Sequence, residues 1–366
     1  MLVTGGAGFI GVNAVRHFVA QGWDVTIFDN FSRKGTEYNI EKLTNDCHGR
    51  FAVVRGDTRR DVHALRKLAE HTDVILHLAA QVAVTTSVVD PQTDFDCNAL
   101  GTFNVLEAAR LSTARPILLY ASTNKVYGAL EDVPVQELAQ RYAFTGGRTG
   151  VSEAQPLDFH SPYGCSKGAA DQYVRDYARI YGLKTVVFRQ SCIYGPHQMG
   201  IEDQGWVAWF LIAGLFGRPV QIYGDGKQVR DLLYVDDLVA CYERAIERID
   251  HVAGKVFNLG GGAENTLSLL EFFSLLAREH SLTLTSTFAP VRPGDQPIFV
   301  SDNSAALRDL SWKPTVGVHE GIARLLEWLR AHQRDLAAFY DGRKESMVTR
   351  ALRRVLRSSR TTPQSA

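Results

Sequence analysis

The chain has 366 residues, of which 45% are hydrophobic and 22% are charged. This is the ordinary composition of a soluble globular protein. Its 40 basic and 40 acidic residues balance, which gives no reason to expect a nucleic-acid partner, and no apolar run approaches the ~20 residues of a membrane span. The 5 cysteines form no Cys-x-x-Cys pair and no Cys/His ligand spacing, so we expect a reducing, cytoplasmic location and no metal site. The chain begins in a predicted strand, so no signal peptide is expected.

The first predicted elements flank a glycine-rich turn. A strand at residues 1–4 and a helix ending near Gln21 lie on either side of the pattern Gly5-x-x-Gly8-x-x-Gly11. Glycines at this spacing permit a tight turn, let a pyrophosphate approach the backbone, and let the helix pack on the strand. Because the start of the helix then faces the anion, the turn predicts a dinucleotide site.

The second predicted strand, residues 24–28, ends at Asp29. A carboxylate at this point suits hydrogen bonds from the adenosine ribose hydroxyls and would repel a 2′-phosphate, which favours NAD over NADP. Arg33 and Lys34 follow closely, and they keep NADP open as an alternative.

Three further predicted strands lead to residues suited to the rest of a dinucleotide. Residues 51–55 lead to Asp57, which is placed to contact the adenine or to cap the next helix. Residues 74–78 lead to the small Ala79-Ala80 pair, where the nicotinamide half can pass close to the backbone, and residues 116–121 form the fifth strand. Alternating strands and helices predict an α/β fold with a doubly wound parallel sheet, whose ligands bind at the carboxyl ends of the strands.

A helix predicted to begin near Ser161 carries Tyr163 and Lys167 four residues apart, on one face. A neighbouring ammonium stabilises a tyrosinate and lowers the tyrosine pKa from about 10 toward neutrality, where Tyr163 can act as a base. The same spacing also occurs by chance on exposed helix faces. The pair therefore indicates a catalytic site only together with the motifs around it.

Together these motifs resemble the extended short-chain dehydrogenase/reductase superfamily. The matching strings are residues 4–11, Asp29, Gly56-Asp57, residues 78–80, Asn98-x-x-Gly101-Thr102, Ser122-Thr123, Tyr163-x-x-x-Lys167 and residues 194–196. The resemblance implies a Rossmann fold, a catalytic triad of Thr123, Tyr163 and Lys167, NAD as cofactor, and a homodimer formed through the two long helices beside the sheet. The residues that it implies contact NAD are Gly5, Gly8, Phe9, Ile10, Gly11, Asp29, Asn30, Ser32, Asp57, Thr58, Leu78, Ala79, Ala80, Gln81, Asn98, Tyr163 and Lys167.

Longer strings resemble the CDP-paratose 2-epimerases within that superfamily. They include residues 122–128, 157–173, 203–210 and 226–231. The resemblance implies that hydride leaves C2 of a nucleotide sugar, preferably a CDP-sugar, and returns to the opposite face of a transient 2-keto sugar. A UDP-sugar 4-epimerase, of the UDP-glucose or UDP-glucuronate type, is the alternative enzyme, and a non-catalytic dinucleotide-sensing module is the alternative from another class.

The resemblance also bears on the two residues after Thr123 and on the substrate residues. Asn124 and Lys125 stand where the related 4,6-dehydratases carry an Asp-Glu acid pair, so we do not expect this chain to eliminate water from a sugar. Cys192 stands where the galactose 4-epimerases have an Asn that holds the sugar diphosphate, so the phosphate must be held differently here. Planar guanidinium groups suit phosphate oxygens, which is why two arginines are expected to clamp the diphosphate. The implied substrate residues are Gln81, Thr123, Asn124, Gln190, Gln204, Arg230 and Arg292.

Two domains and a tail are predicted. Residues 1–190, with return segments near 230–260, are assigned to NAD binding, and residues 191–229 and 261–335 to a smaller C-terminal α/β substrate domain. Strands of that smaller domain are predicted at residues 255–259 and 282–288. The polar stretch 129–159 lacks clear periodicity and is either a lid over the sugar or a plain surface loop. Residues 336–366 form a basic tail.

Overall fold

The computed structural model of the protein describes residues 1–292 and 295–341. The strands are β1 (Leu2–Thr4), β2 (Thr26–Asp29), β3 (Ala52–Arg55), β4 (Val74–His77), β5 (Ile117–Thr123), β6 (Val135–Glu137), β7 (Tyr142–Phe144), β8 (Thr185–Gln190), β9 (Ile193–Tyr194), β10 (Val220–Tyr223), β11 (Val229–Asp231), β12 (Leu233–Tyr234), β13 (Val256–Leu259), β14 (Thr266–Ser268), β15 (Ser286–Ala289) and β16 (Ile298–Phe299). The α-helices are α1 (Phe9–Ala20), α2 (Thr36–Asp46), α3 (Val62–Ala69), α4 (Val84–Val89), α5 (Pro91–Phe95), α6 (Gly101–Leu111), α7 (Ser161–Tyr181), α8 (Trp206–Leu215), α9 (Val235–Glu247), α10 (Ile249–Val252), α11 (Leu269–His280), α12 (Ser304–Leu310), α13 (Val318–Ala331) and α14 (Gln333–Asp341).

Seven parallel strands form the central sheet, in the order β13-β8-β5-β4-β1-β2-β3. From β1 the chain moves outward through β2 to β3, and it then returns to the other side of β1 to build β4, β5, β8 and β13. The strand order therefore reverses between β1 and β4, and in such sheets ligands bind in the crevice at that point. The prediction of a doubly wound parallel sheet is confirmed.

The central strands are buried on both faces, because helices cover both sides of the sheet. Neighbouring residues of one strand point to opposite faces. Val3 packs in a core with α1 and α9, whereas Leu2 packs in a second core with α3, α6 and α7. Leu119 and Leu118 divide between the two cores in the same way. This burial explains why the strands read as continuous apolar runs in the sequence.

The smaller domain contains short sheets and a separate hydrophobic core. Strands β10 and β15 pair in parallel, and β14, β11 and β16 form a three-stranded sheet. Helices α8, α11 and α13 supply most of the core, which includes Phe210, Phe272 and Leu325. The predicted strand at 282–288 is observed as β15 (Ser286–Ala289), and the preceding Leu282 and Leu284 pack against this core.

One predicted strand lies in the other domain. The sequence analysis counted residues 255–259 among the strands of the smaller domain, although it also assigned a return segment near 230–260 to NAD binding. These residues form β13, which pairs with β8 at the edge of the central sheet. The assignment to the smaller domain was wrong because an apolar strand of four residues carries no information about its partner, which only the tertiary contacts select.

The segment 129–159 has more structure than its sequence predicts. Strands β6 and β7 form an antiparallel hairpin, and the Tyr142 amide donates to the Lys227 carbonyl oxygen at 2.9 Å. The Val151 amide donates to the Val300 carbonyl oxygen at 2.7 Å. Strands of three residues are too short to show an alternation of apolar and polar side chains, so the sequence analysis did not predict the hairpin.

The C-terminal end of the described chain is helical. Residues 336–341 of the predicted basic tail belong to α14, and residues 342–366 lie outside the described residues. Within residues 1–292 and 295–341, no helix combines the length and the apolar character needed to cross a membrane.

Candidate active site

A cavity of about 450 Å³ opens at the carboxyl ends of the central strands. We call it the central cavity. It collects residues that the sequence analysis placed in three separate roles. The predicted cofactor residues in its wall are Gly5, Gly8, Phe9, Ile10, Gly11, Asp29, Asn30, Ser32, Asp57, Thr58, Leu78, Ala79, Ala80, Tyr163 and Lys167. The other predicted residues in the wall are Thr123, Asn124, Gln190 and Gln204. Gln81, Asn98, Arg230 and Arg292 lie outside the wall of this cavity.

The glycine-rich turn forms a cradle in which each glycine has a distinct steric role. A Cβ atom on Gly5 would lie 2.6 Å from the Ala79 amide nitrogen, and one on Gly11 would lie 2.5 Å from the Gly5 carbonyl oxygen. A Cβ on Gly8 would meet only the Gly5 oxygen, at 3.2 Å, so a larger side chain there would enter the cavity. The twelve-residue helix α1 begins at this turn, which suits a pyrophosphate.

Asp29 ends β2 with its carboxylate held by two backbone amides. Oδ1 accepts a hydrogen bond from the Phe31 amide at 2.8 Å, and Oδ2 accepts one from the Ala7 amide at 3.1 Å. Burial raises the pKa of Asp29, and these two bonds oppose the rise. The remaining acceptor capacity of the carboxylate can take the hydroxyl groups of a ribose.

Asp57 lies nearby, in the wall of the cavity. Its carboxylate receives the Asn30 side-chain amide at 3.1 Å and forms an ion pair with Arg59 at 2.6 Å. The hydrogen bond from Arg59 holds the pKa of Asp57 well below its usual range. Asp57 therefore stays a hydrogen-bond acceptor at the end of the cavity nearest Asp29.

Thr123, Tyr163 and Lys167 meet at the carboxyl end of β5. Thr123 is the last residue of that strand, and the other two lie on α7. The Tyr163 amide donates to Ser87 Oγ at 3.1 Å, and Lys167 Nζ donates to the Ala121 carbonyl oxygen at 2.5 Å. All three side chains lie in the wall of the central cavity.

Burial shifts the pKa values of both Tyr163 and Lys167. Burial raises the pKa of Tyr163 to about 12, although a hydrogen bond with Thr123 opposes the rise. Burial lowers the pKa of Lys167 to about 7. Burial therefore outweighs the hydrogen bond with Thr123 in setting the pKa of Tyr163, and the predicted lowering toward neutrality is not found for the protein alone.

Asn98 connects the helix beside the site to both the sheet and α7. It lies in a π-helical turn, Asp96–Leu100, between α5 and α6. Asn98 Oδ1 accepts from the Gln81 amide at 2.9 Å, and Nδ2 donates to Ser166 Oγ at 3.0 Å. The Gln81 side chain donates to Asp94 Oδ1 at 2.8 Å. Both side chains are thus placed to order the chain around the cavity.

Three charged residues near the smaller domain, Lys125, Asp203 and Asp295, were not assigned a role by the sequence analysis, and they pair with each other or with the predicted Arg230 and Arg292. Lys125 lines the cavity, and its ammonium lies 3.3 Å from Asp295 Oδ1. Arg230 Nη2 donates to the same oxygen at 2.6 Å. Arg292 pairs with Asp203 at 3.2 Å, and Asp203 lines the cavity. The position of Lys125 in the cavity could have been inferred from the sequence, because it lies two residues after Thr123. Its contact with Asp295 could not, because nothing in the sequence links the two residues.

A buried ion pair supports the triad from behind. Arg189 on β8 makes two contacts of 2.9 Å with the carboxylate of Asp171 on α7. Asp171 also accepts a hydrogen bond from Ser122 Oγ at 2.8 Å, next to Thr123 in the chain. This network joins β5, α7 and β8, and the sequence analysis missed it because its members lie far apart in the chain.

Comparison with known proteins gives one family and a set of full-length relatives. The model of the "NAD dependent epimerase/dehydratase family" matches residues 1–260. The CDP-paratose 2-epimerase of Salmonella typhi is 43% identical over 334 residues, which cover 90% of this chain and 98% of that protein. The UDP-glucose 4-epimerase of Mycolicibacterium smegmatis is 35% identical over 330 residues, with 90% and 98% coverage.

A solved structure gives the same result for the fold. The UDP-glucose 4-epimerase of Thermus thermophilus, in complex with NAD, superposes with a TM-score of 0.76 at 32% identity. The superposition covers 90% of this chain and 98% of that one.

Proposed function

The chain belongs to the NAD-dependent epimerase/dehydratase family and uses NAD, and from this premise we propose that it is a CDP-sugar 2-epimerase of the CDP-paratose type. The observation that carries the proposal is the meeting of Thr123, Tyr163 and Lys167 in one cavity with the glycine turn and Asp29. The 43% identity to the Salmonella 2-epimerase favours C2 over C4 as the reacting carbon, since the 4-epimerase relative is 35% identical.

The residues present fit NAD. The turn around Gly8 leaves room for a pyrophosphate at the start of α1, and Asp29 offers carboxylate oxygens to a ribose. Tyr163 and Lys167 lie at the other end of the cavity, beside β5. We assign residues 1–190 and the return near 230–260 to NAD binding, and residues 191–229 and 261–335 to the nucleotide sugar.

The triad would perform the proton transfer at C2. Bound NAD supplies a reversible acceptor for the hydride of that carbon. Tyr163 takes the proton of the C2 hydroxyl, and Thr123 hydrogen-bonds the same oxygen. Lys167, one helical turn further along α7, would hold the nicotinamide ribose and, when protonated, would stabilise the tyrosinate. A transient 2-keto sugar results, and Tyr163 returns the proton after the sugar has turned over in the cavity.

The substrate is held away from the reacting carbon. We assign Asn124, Gln190 and Gln204, which line the cavity, together with Arg230 and Arg292 beyond its wall, to sugar and diphosphate binding. Gln81 and Asn98 position the chain around the site through their hydrogen bonds to Asp94 and Ser166. Binding energy from the nucleotide anchors the substrate while its sugar turns.

A homodimer and a cytoplasmic location complete the proposal. Helices α6 and α7 expose Phe103, Tyr173 and Ile180, with 40%, 54% and 65% of each residue accessible. Such a row of large apolar side chains on two adjacent helices suits a second copy of the chain. All five cysteines are free thiols, which suits a reducing compartment.

The experiment is incubation of the purified protein, without added cofactor, with CDP-paratose in deuterated water, read by proton NMR. CDP-glucose, UDP-glucose and UDP-glucuronate serve as comparison substrates. The proposal predicts a C2-inverted CDP-sugar without deuterium at C2, because the hydride that leaves is the hydride that returns. Inversion of a UDP-sugar at C4 would favour the alternative 4-epimerase, and deuterium at the inverted carbon would contradict the hydride mechanism.

A further inference from the structure

Lys125 is tied directly to the candidate triad. It lies in the short 3₁₀ turn Asn124–Tyr127 that follows β5, and its backbone amide donates to Thr123 Oγ1 at 3.2 Å. Its side chain lies in the wall of the central cavity. Lys125 therefore borders Thr123 through its backbone, and its side chain lines the same cavity as Thr123.

The Lys125 ammonium belongs to a cluster of two basic side chains and one carboxylate. It shares Asp295 Oδ1 with Arg230, at 3.3 Å and 2.6 Å, so two cations face one carboxylate. Burial acts to raise the pKa of Asp295, but Arg230 and Lys125 outweigh it and bring that pKa to about 2. The carboxylate is thus ionised at neutral pH. Burial lowers the pKa of Lys125, and the neighbouring Asp295 carboxylate opposes that fall.

Two other described side chains near this cluster offer an anion less charge. Cys192 lines the cavity next to Lys125 and Arg230, and burial raises the pKa of its thiol, which is neutral at neutral pH. Arg292 is engaged by Asp203 at 3.2 Å. Lys125 and Arg230 are therefore the cations best placed to meet a phosphate that enters beside Thr123.

The position of the diphosphate depends on which carbon reacts. In a nucleotide sugar the diphosphate is attached to C1, and C2 is bonded directly to C1, whereas C4 lies across the ring. A sugar seated with C2 at Tyr163 therefore brings its phosphate close to the triad. A sugar seated with C4 at Tyr163 carries its phosphate away from the triad, where Lys125 would not meet it.

Building on the proposed function, we propose that Lys125, together with Arg230, binds the phosphate attached to the sugar and thereby seats C2, rather than C4, against Tyr163. Lys125 is in this view a specificity-determining residue.

The test compares CDP with CMP, which lacks the phosphate that carries the sugar. Both are titrated calorimetrically into NAD-loaded wild type, Lys125→Gln and Lys125→Arg. Lys184→Gln is the matched control, because it removes a Lys–Asp pair of 2.7 Å with Asp250 on the surface. We expect Lys125→Gln to lower CDP affinity about tenfold or more, while CMP affinity changes by less than about twofold. Lys125→Arg keeps most of the CDP affinity, and Lys184→Gln binds both as wild type does.

A second variant keeps the test decisive if Lys125→Gln does not fold. Asp295→Asn removes the carboxylate that competes for both cations, so CDP affinity should rise and CMP affinity should stay constant. Equal changes for CDP and CMP in the variants, or unchanged CDP affinity in Lys125→Gln, would overturn the proposal.

The failure of this inference is distinguishable from failure of the proposed function. If wild type binds UDP better than CDP, and Lys125→Gln weakens UDP but not UMP, the phosphate contact stands while the cytidine preference is wrong. If wild type inverts C2 of a CDP-sugar and Lys125→Gln binds CDP normally, only the inference about Lys125 is wrong. Inversion at C4 by the wild type would overturn both the C2 seat and the function.

Discussion

The Lys167 ammonium donates a hydrogen bond of 2.5 Å to the Ala121 carbonyl oxygen. The cation of the candidate triad is therefore anchored on β5, two residues before Thr123, while its helix carries Tyr163. Only 3% of Lys167 is exposed, and burial lowers its pKa to about 7. The protein accordingly holds a lysine that gives up its proton in a pH range where an unfolded lysine does not.

This lysine predicts a pH-dependent difference in stability between wild type and Lys167→Met. From pH 7 to about pH 10 the unfolded chain binds a proton at Lys167 that the folded chain has lost, so the stability of the folded state rises with pH. We expect wild type to gain about 2–4 kcal/mol relative to Lys167→Met across that range. Urea unfolding of cofactor-free protein at several pH values measures it, and a difference that does not vary with pH would contradict the burial argument.

Tyr163→Phe is expected to remove turnover and spare binding. The variant loses the phenol oxygen that exchanges the proton, and general-base groups contribute about 10²–10⁴-fold to rates. The turnover of CDP-paratose, measured by NMR, should fall by at least about 10²-fold. The affinity for CDP should stay within about twofold of wild type. Tyr142→Phe is the matched control, because the Tyr142 hydroxyl donates to Asp225 outside the cavity. Retained turnover in Tyr163→Phe would remove Tyr163 from the triad.

Asp29→Asn is expected to shift the dinucleotide preference toward NADP. The change removes the negative charge that would repel a 2′-phosphate and weakens the bonds to the ribose hydroxyls. NAD affinity should fall about tenfold while NADP affinity holds or rises. Binding of both dinucleotides to cofactor-free protein is the measurement, and Glu37→Gln, an exposed acid on neighbouring α2, is the control. Parallel losses for NAD and NADP would show that Asp29 does not discriminate between them.

Asp171→Asn is expected to destabilise the protein by about 3–5 kcal/mol, because Arg189 would be left as an uncompensated buried charge. Asp171 is fully buried and Arg189 is 2% exposed. The double variant Asp171→Leu/Arg189→Met removes both charges and should cost less than Asp171→Asn alone. Chemical denaturation measures the free energy of unfolding of each variant. If Asp171→Asn were as stable as wild type, the charges of Asp171 and Arg189 would have to be solvated.

Tyr173→Glu/Ile180→Glu is expected to convert the proposed dimer into a monomer. Two carboxylates on the exposed face of α7 would have to be buried without partners in the interface. Light scattering after size exclusion gives the mass of each form. Phe288→Glu places the same charge on an exposed aromatic residue of β15 and should leave the dimer intact. A monomeric wild type would contradict the interface itself.

Local sequence was enough where a site depends on residues close together in the chain. The turn from Gly5 to Gly11, Asp29 at the end of β2, and the Tyr163/Lys167 face of α7 were all predicted, and each lies in the central cavity. The hairpin β6–β7 and the partner of β13 were not predicted, because strands of three or four residues specify neither a period nor a neighbour.

The sequence by itself determined the α/β alternation and the position of the ligand crevice, because those features follow from spacing along the chain. The candidate triad came from the resemblance of its motifs to a family. Tertiary structure decided the electrostatics. It brought Asp295 to Lys125 and Arg230, joined Asp171 to Arg189, and buried Tyr163 so that its pKa rises to about 12. Charge pairing and desolvation depend on which distant segments come together, and that arrangement is fixed only when the chain folds.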